Sequence, residues 1–342
     1  MKLGTLATTN NTLQLGYDEL ISRYELANYS DGKSPKTIKW YSDILKTFSK
    51  HLQQTSNPDD ISAFSIDKVR EYISYLRHKP CFEGHPYTPK QDKLISPRTI
   101  QCHVRALKAF STWLHSEGYT KTNILINLKL PKAPSIIIEP ISNNEIRIIF
   151  NSLKKKSPTG ARNHALLETM LDTGLRVSEI AGITLSGLNL KDGYIKVMGK
   201  GSKERIVPIG KHVQMTLFSY IDKIRPQPDK PDCNHLFLSR SGKPITPNTI
   251  KLVFSRLAKK SGVNRLHAHL CRHTFAINYL LNGGDIFSLK EILGHTTLDM
   301  VNHYLHFTSA QIVVQHHKYS PMDKLLMNTE SSSHARDLVL TP

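Results

Sequence analysis

Apolar positions recur at helical spacing through most of the chain and at strand spacing in one short stretch. Ile38, Tyr41, Leu45, Phe48 and Leu52 come after Ser34-Pro35 at intervals of three and four. Serine caps an N-terminus with its hydroxyl, and proline suits the first helical position, so a helix is predicted to begin there. Ser96-Pro97 repeats this start ahead of Ile100, Val104, Leu107, Phe110 and Leu114. The segments SPKTI and SPRTI echo each other, but the residues after them diverge, so this is one start signal used twice and not a repeat. A third stripe comprises Ile66, Val69, Ile73 and Leu76, and a first helix is expected over residues 13–29. Residues 79–97, KPCFEGHPYTPKQDKLISP, read as a loop whose length marks it as functional or disordered.

The pattern breaks in LKLPKAPSIIIEPIS, where Pro131, Pro134 and Pro140 predict a linker over residues 131–141. Ser142 and Glu145 then form a capping box for a helix through Ile146, Ile149 and Leu153. A helix over Arg162–Asp172 is stopped by Gly174, and Ser178 is expected to cap the next one. Residues 194–198 and 204–208 read as two short strands around a Gly-rich turn. A helix in LHAHLCRHTFAINYLLNGG ends at Asn282-Gly283, and Asp285 and Gly294 bracket a short one. A last helix opening at Thr297 would carry Tyr304. The expected fold is mainly α with a small β-sheet: a helical domain (1–130), the linker, an α+β domain (142–320) and a polar C-terminal tail (321–342).

Charge narrows the partner. The chain holds 46 basic and 28 acidic residues, a formal net charge of +18. A polyanion is therefore the leading partner, because clustered Lys and Arg release counterions from nucleic acid. Lys36, Lys39, Arg98 and Arg105 are the candidate DNA-binding residues of the helical half. None of Cys81, Cys102, Cys233 and Cys271 is spaced as CxxC, which argues against a zinc ribbon and points to reduced thiols in a cytosolic protein. No apolar run of about 18 residues is present to cross a membrane, and the N-terminus lacks a signal-peptide core.

The chemistry gathers in the second half. Arg176 comes after a helix stop, where its planar fork can meet a phosphate, and Glu179 can hold a neighbouring basic group. Lys200 sits in GKG on the predicted hairpin turn, with Lys203 on the same turn both a rival for its role and a further candidate DNA-binding residue. His269 and Arg272 stand three apart on one helix face. His267, His269, Cys271 and His273 would share one face of a strand as a metal site could require. On a helix they fan around the axis, so no metal site is expected. His295 comes directly after the Gly294 stop, and Tyr304 lies nine residues beyond it.

In this order, TGLRVSEI, VMGKGSKERIVP, HLCRHTFA and LGHTTLDMVNHY resemble the catalytic domain of the tyrosine recombinase (phage-integrase) family. The region before residue 130 resembles that family's core-binding domain, and the 79–97 loop is longer than in its compact members. The resemblance implies a site-specific DNA recombinase without cofactor or metal. Tyr304 would attack the scissile phosphate and form a 3′-phosphotyrosyl link. Arg176 and Arg272 would neutralise the non-bridging oxygens, Lys200 would protonate the leaving 5′-oxygen, His269 would take the tyrosine proton or bond the phosphate, and His295 would add a further hydrogen bond to the phosphate.

It also implies double-stranded DNA as partner, clamped between two domains, a homotetramer on two DNA sites, accessory DNA-bending proteins, and a cytoplasmic, nucleoid-associated location. Ile312, Val313 and Val314 would either dock on a neighbouring protomer or pack on their own domain. A type IB topoisomerase shares this chemistry, but no extended β-rich region precedes the helical pattern. A silent DNA-binding regulator would not need all six of the expected residues.

Overall fold

The computed structural model describes residues 15–55, 57, 60–84, 87–134, 138–154, 157–199, 204–294, 297, 316–317 and 319–322. The chain divides into two compact units between residues 136 and 137. The first contains α1 (Tyr17–Ser30), α2 (Pro35–Gln54), a single 3-10 turn (Ile61–Ala63), α3 (Ile66–His78) and α4 (Pro97–Ser116). Both predicted Ser-Pro starts form as expected: the hydroxyls of Ser34 and Ser96 accept from the backbone N–H of Thr37 and Thr99.

Aromatic residues fill the core of this unit. Tyr24, Phe48, Tyr72 and Phe110 are all buried. Ring centroids lie 5.1 Å apart for Phe48–Tyr72, 5.3 Å for Tyr24–Phe110 and 5.7 Å for Phe64–Phe110, each pair edge-on. Such pairs contribute about 0.5–1.5 kcal/mol each beyond the area they bury. On α3 the structure shifts the expected stripe, since Val69, Tyr72 and Leu76 are buried while Ile66 and Ile73 only pack against its edge. Tyr72 lies outside the expected stripe, yet its ring is buried at the centre while its hydroxyl meets His103.

The 79–97 segment is not an open loop. Its stem is closed by an antiparallel bridge between Pro80 and Leu94. Cys81 N–H donates to the Lys93 carbonyl at 2.7 Å, Gln91 N–H to Cys81 at 3.0 Å, and Ile95 N–H to Lys79 at 3.0 Å. Further on, Lys108 Nζ donates to three carbonyls, of Leu125, Ile126 and Leu128, at 2.8, 3.0 and 2.7 Å. That ammonium ties the segment after α4 back onto the helix.

The second unit contains α5 (Asn143–Asn151), α6 (Pro158–Thr173), α7 (Val177–Ala181), β1 (Leu188–Asn189), β2 (Tyr194–Met198), β3 (Glu204–Pro208), α8 (Lys211–Lys223), α9 (Pro247–Ser261), α10 (Ala268–Leu281) and α11 (Ile286–Leu293). The Ser142–Glu145 capping box opens α5. Helix α6 begins four residues before its expected start, because Ser157-Pro158 is a third copy of the Ser-Pro signal. The strands form one antiparallel sheet in the order β1-β2-β3, with Ile195 opposite Val207. Ile195, Val197 and Val207 face the core while Lys196, Met198 and Ile206 are exposed, the alternation expected of a sheet with one wet face. Helix α10 packs on α6, α9 and α11 in the centre of the unit. The observed fold is the expected one, mainly helical with a small sheet.

Ser178 does not cap α7. Arg176 occupies the N-cap position, and the carboxylate of Glu179, three residues on, accepts its backbone N–H at 2.8 Å. With that N–H already bonded, the helix starts two residues earlier than a cap at Ser178 would set.

The helical unit carries a built-in acid sensitivity. Burial, with Lys79 as a lesser cause, pushes the His103 pKa down to about 4, against about 6.5 in an unfolded chain. The unfolded chain therefore takes up this proton first, so stability is full above about pH 6.5 and is lost as pH falls towards 4. The loss is about 3 kcal/mol by linkage. Trp40 and Trp113 are the chain's two tryptophans and both lie in this unit. Urea unfolding followed by tryptophan fluorescence is expected to show the decline, and His103→Gln to flatten it.

Candidate active site

The last turn of α11 builds the site. A helix ends with carbonyls that lack intrahelical partners, and their aligned dipoles favour cations. Here three consecutive carbonyls each accept from a different arginine. Arg205 Nε donates to Ile292 at 3.0 Å, Arg272 Nη2 to Leu293 at 2.8 Å, and Arg176 Nη2 to Gly294 at 3.3 Å. The three come from β3, α10 and the N-cap of α7.

Arg272 is only 2% exposed. Its Nη1 also donates to the Gly174 carbonyl at 2.7 Å. Gly174 ends α6 with φ +61, and a Cβ there would lie 2.5 Å from the Phe275 ring and 2.9 Å from the Leu293 side chain. Only glycine brings this carbonyl so close to α10 and α11 without strain.

Glu179 is the carboxylate that the arginines share. Arg205 grips it with both Nη atoms at 2.9 Å, a bidentate fork, while Arg176 reaches one oxygen through Nη1 at 2.9 Å. Burial raises the pKa of Glu179, but the bonds from Arg205 and from the Arg176 backbone and side chain outweigh it and leave a net lowering. The group is thus a charged carboxylate near neutral pH. Among the described residues, three guanidiniums gather here around one carboxylate, a surplus of positive charge beside the start of α7.

His269 lies in the first turn of α10 with an exposed edge. Partial burial, then Arg272, His267 and Arg176, push its pKa below the ordinary histidine value, so the ring is neutral near pH 7. Its centroid is 4.9 Å from that of His273, nearly perpendicular. Cys271 between them is fully buried, and that burial pushes its thiol pKa up to about 12. Among the described residues no group of three His, Cys, Asp or Glu could hold a metal ion.

The structure therefore brings Arg176, Arg272 and His269 together. Lys200, Lys203, His295 and Tyr304, with Ile312, Val313 and Val314, lie outside the described residues. Lys36, Lys39, Arg98 and Arg105 are all exposed on α2 and α4 of the first unit, where Lys39 pairs with Asp43 and Arg98 donates to Gln101. Sequence reasoning missed Arg205. Its signal in the sequence was its place two residues after Lys203, in a strand whose neighbours alternate inward and outward.

Residues 139–311 match the model of the phage integrase family. The chain belongs to that family, the tyrosine recombinases. A tyrosine recombinase XerC from Bacillus pumilus is 32% identical over 279 residues, covering 80% of this chain and 86% of the relative. A tyrosine recombinase XerD from Staphylococcus saprophyticus is 30% identical over 309 residues, covering 89% of this chain and 99% of the relative. Among solved structures, the Tn1549 transposon integrase in complex with transposon right end DNA superposes with a TM-score of 0.71 at 19% identity, covering 90% of this chain and 100% of that one. A lambda integrase dimer bound to a COC′ core site gives 0.64 at 18%, covering 84% and 97%. At that identity the likeness is one of fold. Among the described residues no helix of this family member is long and apolar enough to cross a membrane.

A lysine cannot donate to Gly174 and Leu293 at once with the spacing of a planar fork. Arg272→Lys is therefore expected to leave a buried carbonyl without its donor and to lower unfolding stability by about 1–3 kcal/mol. Urea unfolding followed by circular dichroism measures it, and an unchanged midpoint would show that the fork is not needed to hold α6 and α11 together.

Proposed function

We propose that this tyrosine-type site-specific recombinase cleaves and rejoins duplex DNA through a covalent 3′-phosphotyrosyl intermediate on Tyr304. The observation that carries the reading is the convergence of Arg176 and Arg272 on adjacent carbonyls at the end of α11, immediately before His295 in the chain. Two guanidiniums fixed against one helix end form a cradle for the two non-bridging oxygens of one phosphodiester, and fixed donors act most strongly on charge that grows in the transition state.

Each step draws on one of these donors or acceptors. The Tyr304 hydroxyl oxygen bonds to phosphorus as the bond to the 5′-oxygen breaks. His269, kept neutral by its surroundings, takes the tyrosine proton. Lys200 gives a proton to the departing 5′-oxygen, with Lys203 on the same turn as the alternative donor. His295 donates to the phosphate. Rejoining is the reverse attack by a 5′-hydroxyl on the phosphotyrosine, and since the link conserves the bond energy it needs no ATP.

The partner is double-stranded DNA, a reading supported by the +18 charge and by the exposed Lys36, Lys39, Arg98 and Arg105, which suit backbone phosphates. The transposon integrase is bound to transposon end DNA and the lambda integrase to a core site, which supports it as well. Four protomers on two such sites, assisted by DNA-bending proteins, would exchange strands for integration and excision, transposition or dimer resolution, at the nucleoid.

Nicked duplexes spanning the DNA around the gene, mixed with the purified protein and resolved on a denaturing gel, test the nucleophile. A covalent adduct mapped to Tyr304 and lost in Tyr304→Phe is expected. Tight binding across the whole set with no adduct would favour a silent DNA-binding regulator. Relaxation of plasmid by a monomer without sequence preference would favour a type IB topoisomerase.

The pH profile tests His269. A base of lowered pKa is neutral to lower pH, so single-turnover cleavage should keep its full rate down to below about pH 6.5 and fall only beneath that. His269→Gln should lose this acid limb. A limb that persists in the variant would assign the proton to another group.

A further inference from the structure

We infer that Arg205 is a positioning residue that draws the charge of Glu179 away from Arg176 and so keeps Arg176 available to an oxyanion. This rests on reading Arg176 as a phosphate ligand. Glu179 has two arginines within reach and only two oxygens. Arg205 takes both in a fork, at 2.9 Å each. Arg176 shares one of them through a single Nη, and the other oxygen also accepts the Arg176 backbone N–H. Glu179 is thus held as an N-cap acceptor for α7 while most of its side-chain bonding is spent on Arg205.

Arg205 is placed firmly enough to do this. Its side chain is 14% exposed, and Nε is bonded to the Ile292 carbonyl. Gly294 lies against the guanidinium, since a Cβ there would come within 3.0 Å of its Cζ, Nε and Nη1. By contrast the Arg176 side chain is 35% exposed and its contact to Gly294 is long, at 3.3 Å. The buried fork is therefore structural, while the Arg176 guanidinium is held more lightly and keeps a solvent-facing side for a ligand. Without Arg205, the buried carboxylate would have one cation left, and Arg176 would close a full fork on it and be neutralised.

Arg205 also belongs to the β2–β3 hairpin, opposite Val197 and two residues after Lys203. It therefore ties the strand that follows Lys203 in the chain to the same carboxylate that positions Arg176.

The test uses the full-length protein and inorganic phosphate as probe, so that no target DNA need be known. Arg205→Ala is expected to weaken phosphate binding, read as the phosphate-dependent rise in melting temperature, by roughly tenfold or more. The double variant Arg205→Ala with Glu179→Gln removes the unbalanced carboxylate and should restore binding to within a few-fold of wild type. A merely structural role predicts the opposite, a double variant worse than either single. Arg205→Lys, which keeps the charge but not the fork, should fall in between.

The proposal is overturned if Arg205→Ala binds phosphate like wild type, if the double variant shows no recovery over Arg205→Ala, or if wild type itself shows no phosphate-dependent rise. Should Arg205→Ala fail to fold, Glu179→Gln alone decides: it should bind phosphate at least as tightly as wild type, and weaker binding overturns the proposal. The recombinase reading fails separately. Phosphate binding that obeys this pattern with no adduct at Tyr304 would uphold the role of Arg205 and overturn the phosphotyrosyl mechanism.

Discussion

The catalytic-unit geometry depends on the carbonyl end of one short helix. Three main-chain oxygens in a row, at residues 292, 293 and 294, each hold one guanidinium brought from a different element. Side-chain carboxylates could have gathered the same arginines, but at the cost of cancelling their charge. Carbonyl dipoles hold a cation in place while leaving nearly all of its charge unneutralised, and the helix dipole adds to the attraction. For the phosphate site proposed above, this is the more useful kind of anchor.

That choice explains the economy of acidic groups nearby. Glu179 is the carboxylate of the cluster, and it has two tasks: capping α7 through the Arg176 N–H and bracing Arg205. Gly174 and Gly294, both in the left-handed region, allow backbone and guanidinium to approach where a Cβ would obstruct. The two glycines are thus part of the arginine geometry and not merely helix stops.

Much of this was legible in the sequence, and the reason differs for each part. Ser34-Pro35, Ser96-Pro97 and the Ser142–Glu145 box marked helix starts because capping is local chemistry within four residues. The strands were legible from alternation and the glycine-bracketed turn. Tyr72 was not, because Ile66, Val69, Ile73 and Leu76 already form a stripe at helical spacing, and the aromatic packing that turns the helix onto Tyr72 comes from other elements. Ser178 misled because a serine beside a helix start is a good cap only when no better acceptor is in register, and Glu179 is one. For the site, Arg176, His269 and Arg272 could be nominated from their order and from the family resemblance. Arg205 could not, since its role comes from contacts to residues 26 and 87 positions away, and no local pattern encodes them.

Because the anchors on α11 are backbone atoms, substitutions along the helix leave them untouched, whereas a change in its length does not. One residue inserted between Asp285 and Gly294 would turn the terminal carbonyls by about 100° and advance them by about 1.5 Å. All three arginines would lose their acceptors at once. The helix can therefore drift in composition while its residue count stays fixed, and among related chains its length, more than its identity, is the quantity to compare.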